Sequence, residues 1–370
     1  MHILSLSTLC SALPVAFATT PEAGVRQQNQ DRGIMFKFDF YQPATEAEKQ
    51  QGQPSLLEES DHQHVARRVE TGVMEAAHRP AQAVAWHSGE HLLVRAIPSP
   101  DACPEAPEES DLVPGIYEGG LKVWEASLDL VEHLFSSSSS GVSSSSTGVV
   151  RKGGDGGCDG GSDIFGGSLD GDQEAAATGQ RHSGSVLELG CGHGFPGIVA
   201  LQRGCRVCFS DFNREVIEQV TIPNVRLNVE ERYWPLAEFY SGDWTSLSPL
   251  LKERDGSGLF NLILTAETLY TTEVADKVLS MVLKHLAPGG QALVASKRFY
   301  FGTGGSTKHF RDEVAATRRL VCSNAVVVDT GKGNIREILR VSWARTEAGV
   351  GAENGCDAFV AADAEVKAAR

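Results

Sequence analysis

Three glycines and two carboxylates carry the chemistry that can be read from this chain. Gly190, Gly192 and Gly194 form G-x-G-x-G within Ser185-Val-Leu-Glu-Leu-Gly-Cys-Gly-His-Gly-Phe-Pro-Gly197, directly after five residues that read as a short buried strand. Lacking a Cβ, such glycines permit a tight strand-to-helix turn and let the backbone approach a ligand closely. Glu188 stands just before them. A carboxylate there would repel a pyrophosphate and attract a cation. The second acid, Asp211, ends the apolar run Cys205-Arg-Val-Cys-Phe-Ser-Asp211. It lies about twenty residues beyond the loop, where a doubly wound fold places the carboxylate that accepts hydrogen bonds from ribose hydroxyls.

A ligand with an adenosine moiety and a cationic end fits both acids. The cofactor expected is therefore S-adenosyl-L-methionine, with its ammonium and sulfonium, and the fold expected is that of a class I methyltransferase. A glycine-rich turn with no cofactor is the plainer alternative. A nicotinamide-dependent dehydrogenase is disfavoured by Glu188 and by spacing that is not G-x-G-x-x-G. Two further stretches end at the same edge of the expected sheet. In Ser241-Gly-Asp-Trp244, Gly242 follows a strand end, Trp244 could stack on adenine and Asp243 could accept from its exocyclic amine; a domain-edge core position is the alternative for Trp244. Phe260-Asn-Leu-Ile-Leu-Thr265 is an apolar strand of the parallel-sheet kind, ending at Ala266-Glu-Thr-Leu-Tyr270 where ligands meet such a sheet. Glu267 and Tyr270 are the candidates for orienting the methyl acceptor, against structural roles in which Glu267 caps the next helix and Tyr270 packs under it.

The elements that must position these residues follow in order. Trp124, Leu128, Val131 and Phe135 recur at helical spacing, widened by Leu130 and Leu134, and predict a helix over 122–135. Gly119-Gly120 ahead of it permits a close-lying lid over the cofactor. Asn213 is a candidate N-cap for a helix carrying Val216, Ile217 and Val220. A helix with Val274, Val278, Leu279, Val282 and Leu286 stops at Pro288-Gly-Gly290, and the strand Ala292–Ala295 follows. Ala325–Val328 and Ile335–Trp343 flank Gly331-Lys-Gly-Asn334 as a hairpin that adds an antiparallel strand.

The whole chain has 370 residues and a formal net charge of −15. No broad phosphate-neutralising patch exists for direct nucleic-acid binding, whereas a basic protein partner would be complementary. No apolar run reaches the roughly 18–20 residues that cross a bilayer, so a soluble chain, acting as a monomer away from membranes, is expected. Cys205 and Cys208 form C-x-x-C on one strand, where residues three apart face opposite sides. They read as buried free thiols, and no metal site is expected. Residues 1–34 read as a targeting segment, secretory or plastid, or as an extension upstream of a start at Met35; residues 35–110 read as mostly disordered, except that 83–97 could add a strand or two. Residues 136–184 are a Ser/Gly low-complexity insertion within a domain spanning 111–345, and 346–370 a loose tail.

Several stretches together resemble the eukaryotic protein-histidine N-methyltransferases of the seven-strand class. They are Leu112-Val-Pro-Gly-Ile-Tyr-Glu-Gly-Gly-Leu-Lys-Val-Trp-Glu125, Leu187 to Gly194, Asp211-Phe-Asn213 with Val220-Thr-Ile-Pro-Asn-Val225, Gly242-Asp-Trp244, Leu262 to Tyr270, and Ala295-Ser-Lys297 with Tyr300-Phe-Gly302. Met35-Phe-Lys-Phe-Asp-Phe40 is similar to that family's amino terminus. The resemblance implies a doubly wound, mostly parallel seven-stranded sheet. It implies methylation of the τ nitrogen of a histidine in a large-subunit ribosomal protein, in cytoplasm and nucleus. It also implies cofactor contacts at Val123, Trp124, Glu125, Ala126, Ser127, Gly190, Asp211, Phe212, Asn213, Gly242, Asp243, Trp244 and Ala266. Asn261, Ala266 and Phe195-Pro196 depart from residues common in relatives. Glu267-x-x-Tyr270 is also similar to the D-x-x-Y of seven-strand lysine methyltransferases, which keeps lysine as an alternative acceptor. A non-catalytic, cofactor-binding chaperone of a ribosomal protein is the third reading.

Overall fold

The computed structural model describes residues 65–71, 81–85, 92–99, 111–113, 115–136, 150–153, 184–331 and 333–345. The chain divides into Met1–Lys37 and Phe38–Arg370, and all described residues belong to the second unit. The expectations for residues 1–34, for the Met35 start and for the tail from 346 lie outside the described residues. So does most of 35–110, as does all of the insertion between 137 and 183 except 150–153.

The sheet forms around β5 (Ser185–Leu189) and β8 (Phe260–Ala266), whose apolar sequences are buried on both faces as parallel strands require. On one side β6 (Arg206–Asp211) and then β7 (Ala237–Ser241) add in parallel; on the other, β9 (Leu286–Lys297) is parallel to β8. The hairpin of β10 (Leu320–Asp329) and β11 (Arg336–Trp343) joins antiparallel, with β11 inserted beside β9. The seven-strand order is β7-β6-β5-β8-β9-β11-β10, and two short edge strands extend it to nine, β1 (Arg67–Arg68) beside β7 and β4 (Val150–Gly153) beside β10. Strand order reverses between β5 and β8, which opens a crevice at their carboxyl ends.

Helices cover both faces. α1 (Glu125–Ser136), α2 (Phe195–Gln202) and α4 (Ile222–Asn228) share one core cluster, into which Leu130, Leu134, Ile198 and Leu201 are fully buried. α5 (Trp244–Asp255), α6 (Thr272–His285) and α7 (Thr307–Ala316) share the other, with Leu251, Val278 and Phe310. Cys205 belongs to the first cluster and Cys208 to the second, both buried and neither in a disulfide.

Three local readings are corrected. The helix over 122–135 starts at Glu125, so Trp124 precedes it and the buried stripe runs through Ala126, Leu130, Val131 and Leu134. Asn213 sits at the N-cap position of α3 (Arg214–Val216) but makes no capping bond, because its side chain turns to residues 116 and 118. The 83–97 segment forms its own two-stranded sheet, β2 (Ala81–Ala85) with β3 (Leu92–Ala96), and does not join the main one. Side chains hold it in place. Asn224 Oδ1 accepts from Ala96 N at 2.6 Å, and Asn228 accepts from Val94 N at 2.7 Å while donating to Val94 O at 2.6 Å, as a neighbouring strand would.

Candidate functional site

A cavity of about 790 Å³ opens at the carboxyl ends of β5 and β8. Its floor is the glycine loop. Gly190, Gly192 and Gly194 have φ of 62°, 48° and 70°, a left-handed run that L side chains rarely adopt. Thr221 fixes this floor by donating to Gly192 O at 2.7 Å. It can do so because Ile217–Thr221 is one π-helical turn between α3 and α4, which rephases the helix toward the loop. Asn224 donates to His193 O at 2.9 Å from the same helix.

Asp211 ends β6 against the loop. Its Oδ2 accepts from Gly192 N at 2.8 Å and its Oδ1 from Asn213 N at 3.2 Å. Burial pushes its pKa up to about 6, although three backbone N–H groups pull the other way. Glu188 lies deeper, with Oε2 accepting from Gly197 N at 2.9 Å, so it braces the turn into α2 as well as lining the cavity. Burial raises its pKa well above the ordinary carboxylate range.

Residues 115–120 pass over the loop as a strap. Gly120 packs on Val216 and approaches Gly192 so closely that a Cβ on Gly192 would lie 3.3 Å from Gly120 O. Asn213 holds the strap by accepting from Glu118 N at 3.0 Å and donating to Ile116 O at 2.8 Å, and Trp124 Nε1 donates to Gly119 O at 3.0 Å. Across the cavity, Tyr270 OH donates to Glu118 Oε2, while Gly115 N donates to Oε1 at 2.7 Å. Burial lifts Glu118 to a pKa of about 7.

At the opposite wall Asp243 caps α5, accepting from Thr245 N at 2.7 Å and pairing with Lys277 at 2.5 Å. Burial favours its protonated form, but these donors outweigh burial and hold its pKa low. Trp244 lines the cavity with its indole Nε1 buried and without a partner, a donor available to a ligand. Glu267, just past β8, has φ of 58°, a strained value for a residue with a side chain. Its Oε2 accepts from Tyr300 OH, with Lys297 Nζ 3.8 Å away, and burial raises its pKa against the pull of that ammonium.

Fifteen of the eighteen residues singled out from sequence line this one cavity. The other three do not. Ala126 is buried in the first turn of α1, Glu125 faces Arg336 Nη1 at 3.1 Å, and Asn213 acts through the strap. Glu118, His193, Lys277 and Tyr300 also line it and were not singled out. Glu118 and His193 had a visible signal, the one just before Gly119-Gly120 and the other inside the glycine loop; Lys277 and Tyr300 depend on what the fold brings together. Left-handed glycines that leave the loop backbone bare, Asp211 at a strand end, and an unpartnered indole N–H fit an adenosyl cofactor.

Residues 170–318 match a family model described as a methyltransferase domain. The histidine protein methyltransferase 1 homolog of Dictyostelium discoideum is 32% identical over 64% of this chain and 61% of its own length. The homolog of Rattus norvegicus is 30% identical over 60% of this chain and 56% of its own, and histidine protein methyltransferase 1 of Schizosaccharomyces pombe 30% identical over 55% and 59%. The chain thus spans about three fifths of the length of the curated relatives it matches. By sheet order, glycine loop and the matched domain it has the class I methyltransferase fold, and over that domain its sequence is similar to the histidine protein methyltransferase 1 proteins.

Proposed function

We propose that this chain methylates the τ nitrogen of a histidine in a protein substrate, a basic large-subunit ribosomal protein, using S-adenosylmethionine. The observation that carries the reading is the strap. The Glu118-Gly-Gly-Leu-Lys-Val-Trp-Glu125 run that begins in it is the part of the resemblance least shared with methyltransferases at large, and residues 118–120 and 122–124 of that run line the cavity, with Glu118 bonded to Tyr270. The relatives' names point the same way.

The cofactor supplies a methyl group on a sulfonium. In this reading the glycine loop and Val123, Trp124 and Ser127 receive its amino-acid end, Asp211 with Phe212 its ribose, and Gly242, Asp243 and Trp244 its adenine. Ala266 ends β8 and Glu267 follows it, at the edge where the methyl group would be presented. A free imidazole, which titrates at about pH 6.5, is largely neutral at about pH 7 and attacks without prior deprotonation. What the chain must do is fix the tautomer and align the attacking nitrogen. A lysine ammonium, which titrates at about pH 10.4, would first have to lose a proton. The net charge of −15 suits a basic substrate.

The test is transfer of labelled methyl to ribosomal proteins in an extract, followed by mass spectrometry of the labelled residue. Label on a histidine of one large-subunit protein is expected. Label on lysine would reassign the acceptor, and cofactor binding with no transfer would favour the chaperone reading. Action in cytoplasm and nucleus is part of the proposal, and import of a tagged full-length chain into plastids would overturn that part.

A further inference from the structure

We propose that Glu118, aimed by Tyr270, accepts the N–H of the acceptor imidazole and takes its proton once the methyl has been transferred. The inference rests on the histidine reading and adds a residue and a role to it.

Six carboxylates line the cavity, those of Glu118, Glu188, Asp211, Asp243, Glu267 and Glu273. Three are committed to holding the protein together: Glu188 braces Gly197, Asp211 holds the loop and Asn213, and Asp243 caps α5 and pairs with Lys277. Glu267 is held through Oε2 by Tyr300 beside Lys297, while its buried Oε1 has no hydrogen-bond partner. Glu273, in the first turn of α6, is exposed, and hydrogen bonds to the helix start hold its pKa low. Glu118 and Glu267 each have a phenol as Oε2 partner, a neutral hydroxyl that can rotate and share the oxygen with a second donor. Glu267 also has the Lys297 ammonium 3.8 Å away, whereas Glu118 spans the cavity from strap to β8–α6 loop. The partner of Glu118, Tyr270, is also one of the two residues nominated from sequence on the acceptor side.

The chemistry calls for such a group. Imidazole attacks through the nitrogen that bears no hydrogen, so an acceptor placed against the N–H selects which nitrogen is methylated. The new N–C bond forms on the τ nitrogen as the S–C bond breaks. The positive charge passes to the ring, and the proton on the π nitrogen then leaves to the Glu118 carboxylate. A base that titrates near neutrality is matched to this transfer. The groups facing Glu118 are Asp211 at the end of β6, Asp243 at the start of α5, Lys277 on α6 and Tyr270. Burial dominates its titration, with the two aspartates and the one lysine in partial opposition.

The experiment uses the full chain, labelled cofactor and the substrate protein identified by that labelling. Glu118→Gln should bind S-adenosylmethionine with a Kd within about twofold of the parent by calorimetry, which shows the site is intact. Its transfer rate should fall about tenfold or more, and the ratio of parent to variant rate should grow from pH 6 to pH 8. The substrate's own titration cancels in that ratio, so growth reports ionisation of Glu118 alone. Methylation should also spread to the π nitrogen. Tyr270→Phe is the second variant, for the case in which Glu118→Gln does not fold. Losing the hydroxyl donor disfavours the carboxylate, so the rising limb of the pH profile should move to higher pH. A pH-independent ratio with the τ product retained, or a limb that stays in place in Tyr270→Phe, would overturn the proposal. A parent enzyme that labels no histidine overturns the histidine reading itself, which is a separate result.

Discussion

Individual side chains in this domain work chiefly by making room and by holding backbone. Gly197 shows the first. A Cβ there would lie 2.3 Å from Glu188 Oε2 and 2.5 Å from the Phe209 ring, both fully enclosed. Gly197→Ala should therefore push the acid and the ring apart and destabilise the domain by about 1–3 kcal/mol, as overpacking does. Chemical denaturation would read this as a lower midpoint at unchanged slope. Thr221 shows the second. Replacing it with Val keeps its shape and removes the donor to Gly192 O. The loss of one buried hydrogen bond, about 1 kcal/mol, should weaken cofactor binding roughly fivefold by calorimetry. An unchanged affinity would mean that the loop keeps its left-handed backbone without this prop.

At the scale of elements, periodicity and glycine placement made most of the sheet legible. The strands around β5, β6 and β8 and the β10–β11 hairpin follow from apolar runs ending in acids or turns. What stayed hidden depends on partners distant in sequence. Nothing in Val216 to Val220 marks a π turn, because its cause is the fit of Thr221 to a loop some thirty residues earlier. Asn224 and Asn228 read as polar positions on a helix, yet they clasp β3 across 128 and 134 residues of chain. Asn213 was legible as a cap and is instead a strap anchor, because the same short amide that suits an N-cap also suits a passing backbone. The candidate site was legible where one residue type at one spacing suffices, as in the glycines and Asp211. It was not legible where two segments must meet, as Glu118 and Tyr270 do across 152 residues.

The whole molecule gathers buried carboxylates around one cavity, and this has a cost that depends on pH. Folding raises Asp211 to about 6 and Glu118 to about 7 and raises Glu188 well above its ordinary value. A carboxyl with a raised pKa favours the folded state below its unfolded pKa, and that advantage is lost as pH rises through the folded value. For Asp211 alone the shift from 3.8 to about 6 amounts to about 3 kcal/mol. The cofactor-free protein should therefore be less stable at pH 8 than at pH 5 by urea denaturation. Because the cofactor brings positive charge to these acids, it should stabilise the fold more at pH 8 than at pH 5. Stability that climbs between pH 5 and 8 would contradict this.

One strand of that molecule comes from an unexpected source. β4, Val150–Gly153, belongs to the Ser/Gly-rich insertion, yet it pairs with Val326 to Asp329 along the outer side of β10. Without it, the valine-rich end of β10 would present open backbone N–H and C=O groups to any other extended chain, which is how sheet proteins stick to one another. β4 thus covers backbone of β10 that would otherwise be open to pairing. A variant with residues 140–180 replaced by a short linker should retain cofactor binding and yet scatter light increasingly with concentration, which the parent chain should not.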